Sequence, residues 1–94
     1  MLHTVKDSPF GHRALEQALH HLQPQDRLVL WQDAVIAATV PAWQARLQTL
    51  ADSDRLYVMQ EDLQARGLHP GVGESIAMER LVELVAELGS PQAW

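Results

Sequence analysis

Apolar and polar positions come in short blocks along the chain, and the blocks suggest a strand–helix rhythm. The central block, Leu28 to Trp31, is an apolar run behind the polar lead-in Gln23 to Arg27. An apolar run of that length bounded by turn residues predicts a strand buried on both faces. Gln32 and Asp33 break the run, and Ala34 to Ala38 continue with helix-compatible residues. Asp33 is placed to cap that helix, since its carboxylate can accept from free backbone N–H groups. Strand, polar corner, helix is the repeating unit of a parallel α/β sheet, whose strand carboxyl ends usually carry function. No glycine-rich turn follows the strand, so no phosphate cradle is visible there.

The same rhythm extends both ways. Leu2 to Val5 predicts a first strand. Ser8-Pro9 supplies an N-cap and a first-turn proline for a helix ended by Gln23-Pro24. Phe10, Ala14, Leu15, Ala18, Leu19 and Leu22 recur at three and four residues and place one apolar stripe on it. Pro41 interrupts the next helical stretch, and Ala42 to Leu50 presents Trp43, Leu47 and Leu50 on one side. Ala51 to Asp54 reads as a loop and Arg55 to Met59 as a third strand. Glu61 to Arg66 predicts a short helix closed by Gly67. Met78, Leu81, Val82, Val85 and Leu88 have helical period, while the rhythm asks for a strand first. The reading is a fourth strand at Ser75 to Met78, a helix from about Glu79 closed by Gly89, and a tail from Ser90 to Trp94. The expected architecture is a small three-layer α/β domain over residues 1–94, with a mostly parallel sheet and helices on both faces.

Composition narrows the function. A chain of 94 residues makes one small domain, and 47% hydrophobic residues exceed what so small a core can hide, which points to an interface. A net charge of −5 argues against a broad nucleic-acid face. No run of apolar residues is long enough to span a membrane, and the N-terminus lacks a secretory pattern, so the expected location is the cytoplasm. Cysteine is absent, which removes disulfides, thiolate metal sites and a cysteine nucleophile or persulfide.

Each candidate for chemistry has a plainer alternative. The histidines show no His-x-x-x-His pair, and His20 and His21 point about 100° apart on a helix, so ordinary surface or core roles outweigh a metal site. Asp33 at a strand end resembles a phospho-acceptor position, but no lysine follows Lys6, and helix capping is the better reading. Ser8 and Ser75 have no histidine base and no nucleophile elbow. Glu61 and Asp62 suit the first turn of a helix. The tryptophans are more informative: Trp31, Trp43 and Trp94 are candidate interface residues, with Leu81, Val82, Val85 and Leu88 of the last helix.

Several stretches, in order and at near-constant spacing, resemble the TusB/DsrH-like family of the bacterial sulfur relay. They are Met1-Leu2-His3-Thr4, Ser8-Pro9-Phe10, Gln32-Asp33-Ala34-Val35 with Ala37-Ala38, Leu56-Tyr57-Val58, Glu61 to Leu68, and Ala93-Trp94. The resemblance implies a DsrEFH-type fold and a dimer of heterotrimers with TusC- and TusD-like sister subunits. It further implies that persulfide sulfur passes from a TusA-like to a TusE-like carrier, towards 2-thiolation of the tRNA wobble uridine. In that scheme the sulfur-bearing cysteine belongs to the TusD-like sister, and this chain is a non-catalytic structural subunit needing no cofactor. The chain departs from the family pattern at three places. Ala34 replaces a glycine after the central strand, which argues against a left-handed residue at that corner. Ala77-Met78 replaces an Asp-Tyr pair, which weakens the fourth strand. Ala18 replaces the cysteine of sulfur-oxidation relatives, which favours the tRNA branch. The alternatives are a stand-alone small-ligand-binding domain and a subunit of a sulfur-oxidation complex.

Overall fold

The computed structural model describes residues 1–94. Its elements run β1 (Leu2–Val5), α1 (Ala14–His21), β2 (Arg27–Leu30), a 3₁₀ helix (Gln32–Thr39), α2 (Pro41–Asp52), β3 (Leu56–Met59), α3 (Gln60–Ala65), β4 (Glu74–Ile76), α4 (Met78–Leu88) and β5 (Gln92–Ala93). The strands form one sheet in the order β4-β3-β2-β1-β5. Every pairing is parallel, with Thr4 opposite Val29 and Val29 opposite Tyr57. The sheet is thus wholly parallel rather than mostly so, and β1 to β3 lie where their apolar runs place them.

Topology decides which helix covers which face. The path from β1 to β4 steps across the sheet in one direction, so right-handed crossovers put the intervening helices on one face. The path from β4 to β5 returns across the whole sheet, which puts α4 on the other face. The core divides accordingly. Val5, Leu28, Leu30, Leu56 and Val58 point to the first face and pack with Leu15, Ala18, Val35, Leu47 and Leu63. Leu2, Val29, Tyr57, Met59 and Ile76 point to the second and pack with Leu84. Strand alternation sends neighbouring residues to opposite faces, which is why runs buried on both sides are continuously apolar.

Several expectations are corrected. The first helix begins at Ala14, with Arg13 at its N-cap position and no side-chain cap. Ser8 Oγ instead accepts from the Phe10 N–H at 3.2 Å in a local turn. Phe10 is 67% exposed and lies off the apolar stripe, whose remaining members do pack inward. Asp33 does not cap a helix: it lies in the first turn of the 3₁₀ segment, where Trp31 is the N-cap residue. That segment is long for its type. Its buried residues, Ala34, Val35, Ala37 and Ala38, repeat at three, so a 3.0-residue turn stacks small side chains against the sheet. The left-handed corner exists after all, at Gln32 with φ 49° rather than at Ala34. Residues 51 and 52 extend α2 rather than forming a loop. The fourth strand is present but ends at Ile76, so that Met78 opens α4. The tail is not irregular, since Gln92 and Ala93 pair with His3 and Thr4 as β5. Gly67 closes α3 at φ 64°, the left-handed value its place predicts.

Candidate functional site

The carboxyl ends of the strands are where an open parallel sheet has side chains free to act. At that edge lies an open cavity of about 460 Å³ lined by Lys6, Asp7, Trp31, Gln32 and Trp94, among others. Trp31 reaches it because β2 ends at Leu30, and Trp94 because β5 ends at Ala93. Two tryptophans 63 positions apart in the chain therefore share one cavity wall.

Trp94 is fixed from behind. Its backbone N–H donates to the Thr4 carbonyl at 2.9 Å. Its indole Nε1–H donates to His3 Nδ1 at 3.0 Å, and its ring lies 4.9 Å from the His21 ring. An indole N–H can only donate, so His3 Nδ1 accepts and the imidazole proton of this arrangement sits on Nε2. That proton is donated to Asp26 Oδ2 at 2.8 Å. Asp26 also accepts from the Gln23 N–H at 3.0 Å and from the Met1 ammonium at 3.0 Å. Burial acts to raise the Asp26 pKa, but the Gln23 N–H, His3 and the ammonium together outweigh it and hold the carboxyl at about 2. His3 is thus a satisfied buried histidine with both ring nitrogens engaged.

A second polar group clasps the central corner. The Gln32 N–H donates to Asp62 Oδ2 at 2.8 Å, which does for the 3₁₀ segment what Asp33 was expected to do. Asp33 instead pairs with Arg66 at 2.8 Å, and Arg66 also donates to the Asp62 carbonyl at 3.1 Å. Asp62, expected only to charge a helix start, therefore ties α3 to the end of β2. These contacts give Asp33, Asp62 and Arg66 positioning roles. No three of the chain's His, Asp or Glu side chains gather where they could hold one metal ion.

The proposed contact residues fall into two places. Trp31, Leu81, Val85 and Leu88 are partly buried against the second-face cluster. Val82, on the outer side of α4, is 62% exposed and Met78 is 47% exposed. Trp43 and Trp94 pack on the first face, and the Arg46 guanidinium lies 4.4 Å from the centre of the Trp43 ring. The Asp26–His3–Trp94 chain was not anticipated. Its members are scattered in sequence, and only the unusual terminal tryptophan hinted at it.

The family model described as DsrH like protein matches residues 7–90. Protein TusB of Pectobacterium parmentieri is 35% identical over 97 aligned residues, covering all of both chains. Protein TusB of Pectobacterium carotovorum is 38% identical over 98 aligned residues, again covering both chains fully. Protein TusB of Erwinia tasmaniensis is 45% identical over 69 residues, covering 72% of this chain and 70% of its own. No helix is long and apolar enough to cross a membrane.

Proposed function

The chain belongs to the DsrH-like family, and from that premise we propose that it is a non-catalytic subunit of a cytoplasmic sulfur-relay complex serving 2-thiolation of the tRNA wobble uridine. Its sisters are TusC- and TusD-like chains, and TusA- and TusE-like carriers act before and after them. The observation that carries this reading is the end-to-end similarity to TusB proteins. The chemistry of the chain is consistent with it. A relay passes sulfane sulfur between thiolates, and this sequence has no cysteine to form one. A methionine thioether has no ionisable S–H and cannot substitute. The chain's contribution is then to assembly, and α4 is the surface proposed for it. Leu81, Val85 and Leu88 seat α4 on the sheet, Trp31 flanks it, and Val82 with Met78 forms its exposed apolar ridge. Trp43 and Trp94 remain candidates for a second contact.

The test is co-expression of the tagged chain with TusC- and TusD-like sisters. Co-elution of all three chains and restored 2-thiouridine in tRNA are expected. Val82→Glu should abolish co-elution while leaving the isolated fold intact, because the residue touches solvent in the free chain. Trp31→Ala should weaken it by more than about 2 kcal/mol if the ring is a contact anchor. A wild-type chain that elutes without the sisters would defeat the subunit reading and leave a stand-alone domain.

A further inference from the structure

The amino-terminal edge of the sheet is chemically unlike the rest of the molecule. The chain carries −5 overall and has only six arginines. Four of them, Arg27, Arg46, Arg55 and Arg80, line two adjoining hollows at this edge. The first hollow, about 510 Å³, lies on the first face between the end of α1 and α2. Its floor is apolar, made by Leu19, Leu22 and Leu50, and its rim carries His20, Arg46 and Arg55. The second hollow, about 570 Å³, shares Arg55 and is polar, with Asp54 and Glu74 among its walls.

The rim cations are poorly neutralised. Arg55 has no carboxylate within ion-pair distance and spends one guanidinium nitrogen on the Gln23 and Asp26 carbonyls, at 3.4 and 3.0 Å. Arg46 reaches Glu16 only at 3.9 Å and is 45% exposed. A guanidinium with donors to spare recognises carboxylate or phosphate geometry. The aliphatic floor selects between them, because a phosphate backbone brings no apolar group to cover leucines. The net negative charge of the chain also disfavours a polyanion as large as nucleic acid.

We propose that the groove between α1 and α2 docks an acidic segment of a partner protein, one that sets aliphatic side chains on Leu19, Leu22 and Leu50 and carboxylates against Arg46, Arg55 and His20. The proposal does not rest on the sulfur-relay reading, and this surface lies on the opposite face from α4. A second copy of the chain has a segment of suitable chemistry, since α4 exposes Met78 and Val82 beside Glu79 and Glu83. With donor and acceptor on opposite faces, however, self-docking would run head to tail and could not form a two-fold dimer through this pair of surfaces.

The experiment is fluorescence anisotropy with the full-length chain and three labelled probes. The probes are a short peptide of leucine and glutamate in helical spacing, its lysine-for-glutamate counterpart, and oligouridine RNA. The glutamate peptide should bind, bind more weakly as salt rises, and lose roughly tenfold or more in affinity on Arg46→Glu. Leu19→Asp should have a similar effect through the floor. Circular dichroism of both variants checks the fold, and His20→Glu, at an exposed rim position, provides a third variant should either fail to fold. Absent binding of the glutamate peptide, equal binding of the lysine peptide, or indifference to all folded variants would overturn the proposal. Tighter binding of the RNA would overturn it in favour of a nucleic-acid site. Concentration-dependent self-association abolished by Arg46→Glu would overturn it in favour of a second copy.

Discussion

The first face of the sheet lies under α1, the 3₁₀ segment, α2 and α3, and buries fifteen side chains in one cluster; the second lies under α4 alone and buries six. The difference follows from topology, because only the β4 to β5 crossover reverses direction across the sheet. Redundancy follows in turn. On the first face α1 inserts Leu15 and Ala18, and α2 inserts Leu47 and Leu50. On the second, α4 is anchored by one buried side chain, Leu84, with Leu81, Val85 and Leu88 partly covered around it. A face held by one helix has little to spare if that helix loosens, while a face held by several can open a groove at its edge without losing its core.

The largest effect should come from Leu84→Ala. Removing a fully buried leucine costs about 3 kcal/mol, and here the loss falls on the sole buried anchor of a helix. Hydrogen exchange should quicken across α4 amides before it quickens in α1 or α2. Leu47→Ala, equally buried on the first face, should cost a similar amount but quicken exchange throughout. If the α4 amides of Leu84→Ala stay as protected as those of α2, the two faces are one cooperative unit and the comparison breaks.

Acid should reveal the next effect. Asp26 is buried beneath the edge where β1, α1 and Trp94 meet. Its folded pKa of about 2 lies below the ordinary 3.8. Its contribution is therefore complete above the ordinary value and is lost as pH falls through the folded one. The loss should be about 2 kcal/mol, seen as a fall in denaturation midpoint between about pH 4 and pH 2. Asp26→Asn should flatten that fall. A variant as acid-sensitive as the parent would place the titration elsewhere.

What the sequence disclosed and what it concealed divide along the same physical line. Buried parallel strands are continuous apolar runs, so Leu2–Val5, Leu28–Leu30 and Leu56–Met59 were legible. Gly67 was legible because a glycine just past a helix end commonly takes the left-handed conformation. β5 was not, because two residues at an edge carry no period, and it is paired through His3 and Thr4 rather than through its own pattern. The caps failed for a related reason. Asp33 and Ser8 have the right chemistry at plausible positions, but a distant arginine claimed the one and a local turn the other. Arg66 took Asp33, and Asp62 rather than Asp33 accepts from the first N–H of the 3₁₀ segment, that of Gln32. Of the site, the tryptophans were visible as residues, while the cavity joining Trp31 to Trp94 depends on where two strands end.

None of the α-helices has a side-chain hydrogen bond at its N-cap, so none draws stability from that source. The faces should respond differently to adding one. Ala77, at the N-cap of α4, has φ −90° and ψ 171°, the extended geometry from which a short hydroxyl side chain can accept from the first free N–H groups. Ala77→Ser should therefore stabilise by about 1 kcal/mol, and should slow exchange mainly in α4, the face with least to hold it.

Ser8→Ala is the smallest expected effect and the sharper control. The hydroxyl is a good capping group in a sequence that invites a helix at Pro9. The chain nevertheless delays α1 to Ala14, and the helix that forms there seats Leu15 and Ala18 on the sheet. Burial of those two side chains outweighs a cap worth about 1 kcal/mol, so Ser8 is left with one exposed bond to the Phe10 N–H. Losing an exposed bond of that kind should change stability by less than about 0.5 kcal/mol, within the error of a denaturation curve. A loss near the full value of a cap would mean that α1 begins at Pro9 in solution. Phe10 would then be drawn towards the first face, and the groove bordered by α1 would have to be redrawn.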